Sequence, residues 1–191
     1  MIIIDLITSI STLLTAIKNL IAGGKKELNQ KVAEDLNEQL LELEKKIISL
    51  GDFAKIIQSY RRLHEDSLPL AEGANSAIKT MLTASQFDEK ILDKFTPSTL
   101  SNVQGIFNKL ESSFKVIKSD ILDHDKGEIG VYINQISTNL GKAEGYVESN
   151  NYTEYQKQLY KIGEIAGKIS SLTGAMIESS LRDLERFSSR R

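Results

Sequence analysis

Apolar residues return every three or four positions along almost the whole chain, and that spacing predicts helices. In segment 2–22 the apolar positions are Ile3, Leu6, Ile7, Ile10, Leu13, Leu14, Ile17, Leu20 and Ile21. The stripe is wide, as in a helix covered on more than one side. Gly23 and Gly24 follow it; glycine suits a helix end, and the pair predicts a hinge. From Lys26 to Leu50 the positions Leu36, Leu40, Leu43, Ile47 and Leu50 alternate by four and three. Glu27–Lys31 and Glu42–Lys46 fall four apart in the favourable order, which predicts a solvated outer face.

Further along, helix punctuation predicts several breaks. Gly51-Asp52 reads as a stop followed by an N-cap, and a third helix carries Phe53, Ile56, Ile57, Tyr60 and Leu63 up to Asp66, Ser67 and Pro69. A shorter segment from Leu70 to Phe95 holds Ile78, Met81, Leu82, Ile91 and Leu92, with a break at Ser85 or Asp88. Thr96-Pro97 reads as a restart, threonine capping and proline in the first helical position. The next helix reaches Asp125 through Leu100, Val103, Ile106, Phe107, Leu110, Phe114, Ile117 and Ile121. Lys126-Gly127 predicts a turn, and a helix from Glu128 to Glu148 follows through Tyr132, Ile133, Ile136, Leu140 and Ala143. Ser149-Asn150-Asn151 predicts another turn, and Thr153 with Gln156 forms a capping box for a last helix reaching Phe187.

The resulting expectation is an all-α fold, a single domain over 1–191 built as one up-and-down bundle of about five to seven helices. Within it, 1–22 is the apolar N-terminal helix, 23–24 the hinge and 25–190 the bundle. Ile10, Leu14, Leu40, Ile47, Ile57, Leu110, Ile117, Ile136, Ile165 and Ile169 are expected in the core. Only two prolines interrupt the chain, and hairpin pairs such as Asn-Gly are absent.

Composition narrows the function. Lys plus Arg is 24 against 26 for Asp plus Glu, a net charge of −2. The basic pairs Lys25-Lys26, Lys45-Lys46, Arg61-Arg62 and Arg190-Arg191 are scattered, which argues against nucleic acid as a partner. The absence of cysteine removes disulfides, thiolate metal sites and cysteine nucleophiles, and fits a cytoplasmic protein. No basic stretch precedes the first apolar run, which argues against a cleaved signal peptide.

Candidate chemistry is sparse. His64 and His124 are the only histidines, and both read as surface residues. Asp123, Asp125 and Gly127 resemble part of a calcium loop. However, the sixth and twelfth positions are Glu128 and Asn134 where glycine and glutamate are needed. No nucleophile–base pair, Gly-rich phosphate loop or metal set can be assembled. The reading is no enzyme, no cofactor and no metal. Tyr146, Tyr152 and Tyr155 crowd the tip of the last hairpin and are candidates for an interaction surface, because tyrosine buries area while keeping a polar tip. Gly141 and Gly145 on one helix and Gly163, Gly167 and Gly174 on the next predict a close-packed hairpin. With the turn at Asn150-Asn151, Gly141 is expected opposite Tyr160 and Gly145 near Tyr155.

Two functions fit these residues. One is a non-catalytic adaptor, scaffold or regulator that binds a protein partner or a second copy of itself. The other starts from the first helix, whose only charges are Asp5 and Lys18 and whose polar side is mostly hydroxyl. An apolar N-terminal helix leading into a compact bundle resembles, over the first roughly fifty residues, the HeLo and MLKL class of cell-death bundles. That resemblance implies a membrane-perturbing effector, peripheral to the membrane, whose first helix leaves through the Gly23-Gly24 hinge on activation or oligomerisation.

Overall fold

The computed structural model describes residues 10–12, 14, 15, 17, 18, 22, 30–85 and 89–189, and among them all regular structure is α-helix. Four helices have defined bounds: α1 Gln30–Ser85, α2 Glu89–Ile117, α3 Asp123–Glu148 and α4 Tyr152–Ser189. With the helical N-terminal segment that contains Ile10, Leu14 and Ile17, the helices number five among the described residues. The chain divides into two compact units, Met1–Ile57 with Ser180–Arg191, and Gln58–Ser179.

α1 is one helix where three segments were expected. It runs through Gly51 and through Pro69 without a break. A glycine inside a helix costs about 1 kcal/mol and a missing N–H one hydrogen bond, but the apolar phase is unbroken across both positions. Leu40, Ile47, Ile57, Tyr60, Leu63, Leu70, Ala74, Ala77 and Met81 are all buried. Each such side chain contributes on the order of 1.5–3 kcal/mol by leaving water, so the continuous stripe overrides the punctuation. Asp66 and Ser67, expected to end a helix, are buried within it. α1 is described as far as Ser85; Asp88, the other position offered for the break, lies outside the described residues.

α2 repeats the lesson at Pro97, which lies inside the helix and is exposed. Thr96 is wholly buried, and its hydroxyl donates to the Leu92 carbonyl at 2.6 Å instead of capping a new helix. Leu92, Leu100, Val103, Phe107 and Leu110 keep one buried stripe on both sides of the proline. The helix stops at Ile117 rather than Asp125. Lys118 and Asp120 close the turn through the Phe114 and Ile117 carbonyls at 2.9 and 2.8 Å. α3 then begins at Asp123, with Lys126 and Gly127 inside it instead of in a turn. Asp123 and Asp125 in its first turn complement the positive end of the helix dipole.

The α3–α4 turn is where it was expected, and it is a Schellman closure. Asn150 takes the left-handed conformation at φ 53°, one asparagine tolerates better than most residues. Asn150 N–H donates to Val147 O at 3.1 Å and Asn151 N–H to Tyr146 O at 2.8 Å. The cap of α4 is Asn151, whose Oδ1 accepts from the Glu154 N–H at 3.3 Å; Thr153 lies exposed inside the first turn. Shifting the start by two residues removes the Thr153–Gln156 capping box.

In the first unit Leu14, Leu40 and Ile47 form a buried cluster, with Ile10 and Ile17 half-buried against it. Lys18 adds an ion pair to Glu44. In the second unit the interior is lined by all four helices, with Leu110, Ile117, Ile136, Ile165 and Ile169 buried as expected. Of the ten core residues anticipated, Ile10 alone is only part-covered.

Candidate functional site

Several buried or half-buried polar side chains of the second unit bond between helices, and α1 supplies one partner in each of these bonds. Tyr60 is 1 % exposed, and its hydroxyl donates to the buried Asp125 carboxylate on α3. The same oxygen accepts the Leu122 N–H at 3.4 Å, tying α1 to the start of α3. Burial first, and the bond to Asp125 second, hold the Tyr60 phenol well above its ordinary titration range. Six residues further on, Asp66 is 5 % exposed and accepts Ser113 Oγ–H of α2 at 2.6 Å, while the Lys109 ammonium of α2 lies 2.7 Å from its other oxygen. Arg62 Nε–H donates to Ser113 Oγ at 3.2 Å. Two of the ionisable groups best placed for acid–base chemistry are therefore consumed in helix-to-helix bonds.

His64 corrects the expectation of a surface histidine. It is half-buried against α4, with Nδ1 2.9 Å from the Ser170 carbonyl oxygen and 3.2 Å from Ser170 Oγ. Gly174 leaves room for the ring: a Cβ there would stand 3.7 Å from His64 Cε1. His124 is exposed, as expected. Among the described residues neither histidine is hydrogen-bonded to a carboxylate, and no group of three His, Asp or Glu side chains is placed to hold a metal.

Among the open clefts on the surface of this unit are two of similar size. One, of about 560 Å³, lies between α1 and α2 and is lined by Asp66, Pro69, Ser101, Asn102, Ile106 and Lys109 among others. The other, of about 570 Å³, runs between α3 and α4 past Val131, Asn134, Lys142, Lys161, Glu164 and Lys168. Both are open and mix polar with apolar lining, unlike the enclosed apolar pockets that bury a small ligand.

The tyrosines at the hairpin tip separate. Tyr155 is wholly buried, with a hydroxyl that meets no hydrogen-bond partner among the described residues, and burial pushes its phenol above the ordinary range. Tyr146 and Tyr152 are half-buried, and Tyr152 donates to Asp93 on α2. The glycines also depart from the close-packed hairpin. Gly141, Gly145 and Gly167 have nothing within 4 Å of an added Cβ. Tyr160, expected against Gly141, is 63 % exposed. Gly163 and Gly174 admit a neighbour, and in both cases it is α1: a Cβ at Gly163 would stand 3.4 Å from Ala74 Cβ and 3.5 Å from Asn75 Oδ1, and one at Gly174 would meet His64.

Of the candidate membrane-active residues, Ile10, Leu14 and Ile17 are the ones seated on α1. Ile3, Leu6, Ile7, Leu13, Leu20, Ile21 and the hinge Gly23-Gly24 lie outside the described residues. Among the described residues no helix is long and apolar enough to cross a membrane.

Sequence reasoning missed Asp66, Ser113 and Asp125 as interior groups. The signal was present: each falls in phase with buried apolar residues of its own helix, Leu63 and Leu70, Leu110 and Ile117, and Ile129 and Ile133 respectively. Comparison with family models, curated proteins and solved structures yields no match to this chain.

Proposed function

We propose that this protein is a non-catalytic helical bundle of up-and-down topology that works by binding protein through its helix faces, as an adaptor, scaffold or regulator. The observation that carries this reading is the use made of the buried polar groups. Tyr60, Asp125, Asp66 and Ser113 are bonded to one another or to cations across helix boundaries. Buried polar groups satisfied in this way fix helix pairing, and a group spent on pairing is not poised for proton transfer. The exposed apolar residues Leu41, Leu43, Ile48, Val131 and Tyr160 lie on helix faces, where partner helices bind.

A second reading, the membrane-perturbing effector, is favoured by one feature: Ile10 and Ile17 are only half-covered where they meet α1. Release of a dye from vesicles of phosphatidylcholine and phosphatidylserine separates the two. The full chain is expected to release none. Deletion of residues 1–22 is expected to lower the melting temperature, because it uncovers Leu40 and Ile47. Leakage by the full chain, lost in a truncation that still folds, would overturn the protein-binding reading.

A further inference from the structure

The cleft of about 570 Å³ between α3 and α4 is lined by a polar group that the fold does not use. Asn139 lines it and is 9 % exposed. Its side-chain amide makes no hydrogen bond among the described residues. Asp66, Ser113 and Asp125, buried to a similar degree, all bond across helix boundaries. A buried amide with no partner is costly to a fold, and a contact made from outside gives it a purpose.

The walls around this amide are positively charged. Lys142 on α3 and Lys161 and Lys168 on α4 line the cleft, against one acid, Glu164. Glu164 is taken by Lys168 at 2.9 Å. Lys142 and Lys161 are exposed, and neither has an ion pair among the described residues. Two unpaired ammonium groups thus border one cleft from neighbouring helices, in a chain whose net charge is −2. They repel one another, and a negative group between them is attracted to both.

The amide decides the kind of anion. A phosphate dianion offers hydrogen-bond acceptors alone and would leave the Asn139 carbonyl oxygen without a donor. A peptide unit offers one N–H and one C=O, the complement of a side-chain amide. Val131, 52 % exposed in the same cleft, can take an apolar side chain. From Val131 to Lys142 α3 rises about 16 Å at 1.5 Å per residue, a length that about five residues of extended chain span.

We infer that the α3–α4 cleft binds an extended acidic segment of a partner protein, with a backbone peptide unit on Asn139 and carboxylates on Lys142 and Lys161. The inference rests on the protein-binding reading above and gives one partner its chemistry.

Nuclear magnetic resonance of the isotope-labelled full chain tests it, with hexaglutamate as the probe. Hexaglutamate is expected to move the Asn139 side-chain NH₂ resonances and the backbone amides of 131–142 and 161–168. Hexaglutamine is expected to bind roughly tenfold more weakly, and added salt to loosen the acidic complex. Inorganic phosphate leaves the Asn139 NH₂ in place. Lys142→Glu combined with Lys161→Glu abolishes the shifts while the helical circular dichroism is unchanged. Asn139→Leu, close to asparagine in size, weakens the complex while the melting temperature holds or rises, because the fold does not bond that amide. Unmoved Asn139 resonances, equal binding of hexaglutamine, binding intact in the double lysine variant, or a lower melting temperature in Asn139→Leu would each overturn the inference. Phosphate or phosphatidylserine vesicles moving the Asn139 NH₂ as far as the peptide does would overturn it too, in favour of a free anion or of lipid. Failure of the peptide leaves the protein-binding reading on the helix faces intact; vesicle leakage by the full chain overturns that reading separately.

Discussion

Two buried tyrosines show how differently the same side chain serves this fold. Tyr60 has its hydroxyl bonded to Asp125 and the Leu122 N–H, whereas the Tyr155 hydroxyl is buried without a partner among the described residues. Removing a bonded hydroxyl leaves Asp125 uncompensated, so Tyr60→Phe is expected to cost about 1–3 kcal/mol in chemical denaturation at neutral pH. Tyr155→Phe leaves no described protein group without its partner, and is expected to be near neutral. The pH dependence follows from the raised titration of both phenols. Above about pH 10 an unfolded tyrosine ionises, while these two stay neutral in the fold. The stability that they carry is therefore complete below that pH and is lost as pH rises beyond it. Either phenylalanine variant is expected to flatten the alkaline fall in stability. An alkaline limb unchanged in both would show that neither phenol is held neutral by the fold.

Helices in this chain are decided by phase more than by punctuation. Gly51, Pro69 and Thr96-Pro97 carry strong local stop signals, and α1 and α2 pass through all of them. In each case the buried stripe continues in register on the far side, so ending the helix would forfeit more burial than the local cost. Where the stripe does end, the local signals are obeyed. The turn at Ser149-Asn150-Asn151 was legible because asparagine in the left-handed position and the flanking periodicity agree. The glycines were less legible, because sequence spacing shows which residues share a helix face but not which neighbour that face meets. Gly141 and Gly145 face open space inside α3, so they pay the helix penalty of glycine and gain no contact. Gly141→Ala and Gly145→Ala are each expected to raise stability by about 0.5–1 kcal/mol in urea unfolding. A loss of stability in either would mean that the added methyl meets an atom the structure does not place there.

At the level of the molecule, α1 is the element that every other part uses. In the first unit it receives the N-terminal segment on Leu40 and Ile47. In the second it bonds to α2 through Asp66, to α3 through Tyr60 and to α4 through His64. The all-helical class and nearly all of the anticipated core were readable from periodicity alone, since burial follows directly from it. The polar contacts between helices were not, because they depend on which faces meet. The central claim is that the polar groups inside the second unit pair its helices and that, within the first unit, the N-terminal segment stays on α1. Hydrogen exchange of the full chain, with and without vesicles containing anionic lipid, tests that claim most directly. Amides around Leu14 and around Leu40–Ile47 are expected to exchange slowly and identically in both conditions. Faster exchange at Leu40–Ile47 when vesicles are added would show the N-terminal segment leaving α1 for lipid, and would contradict the account.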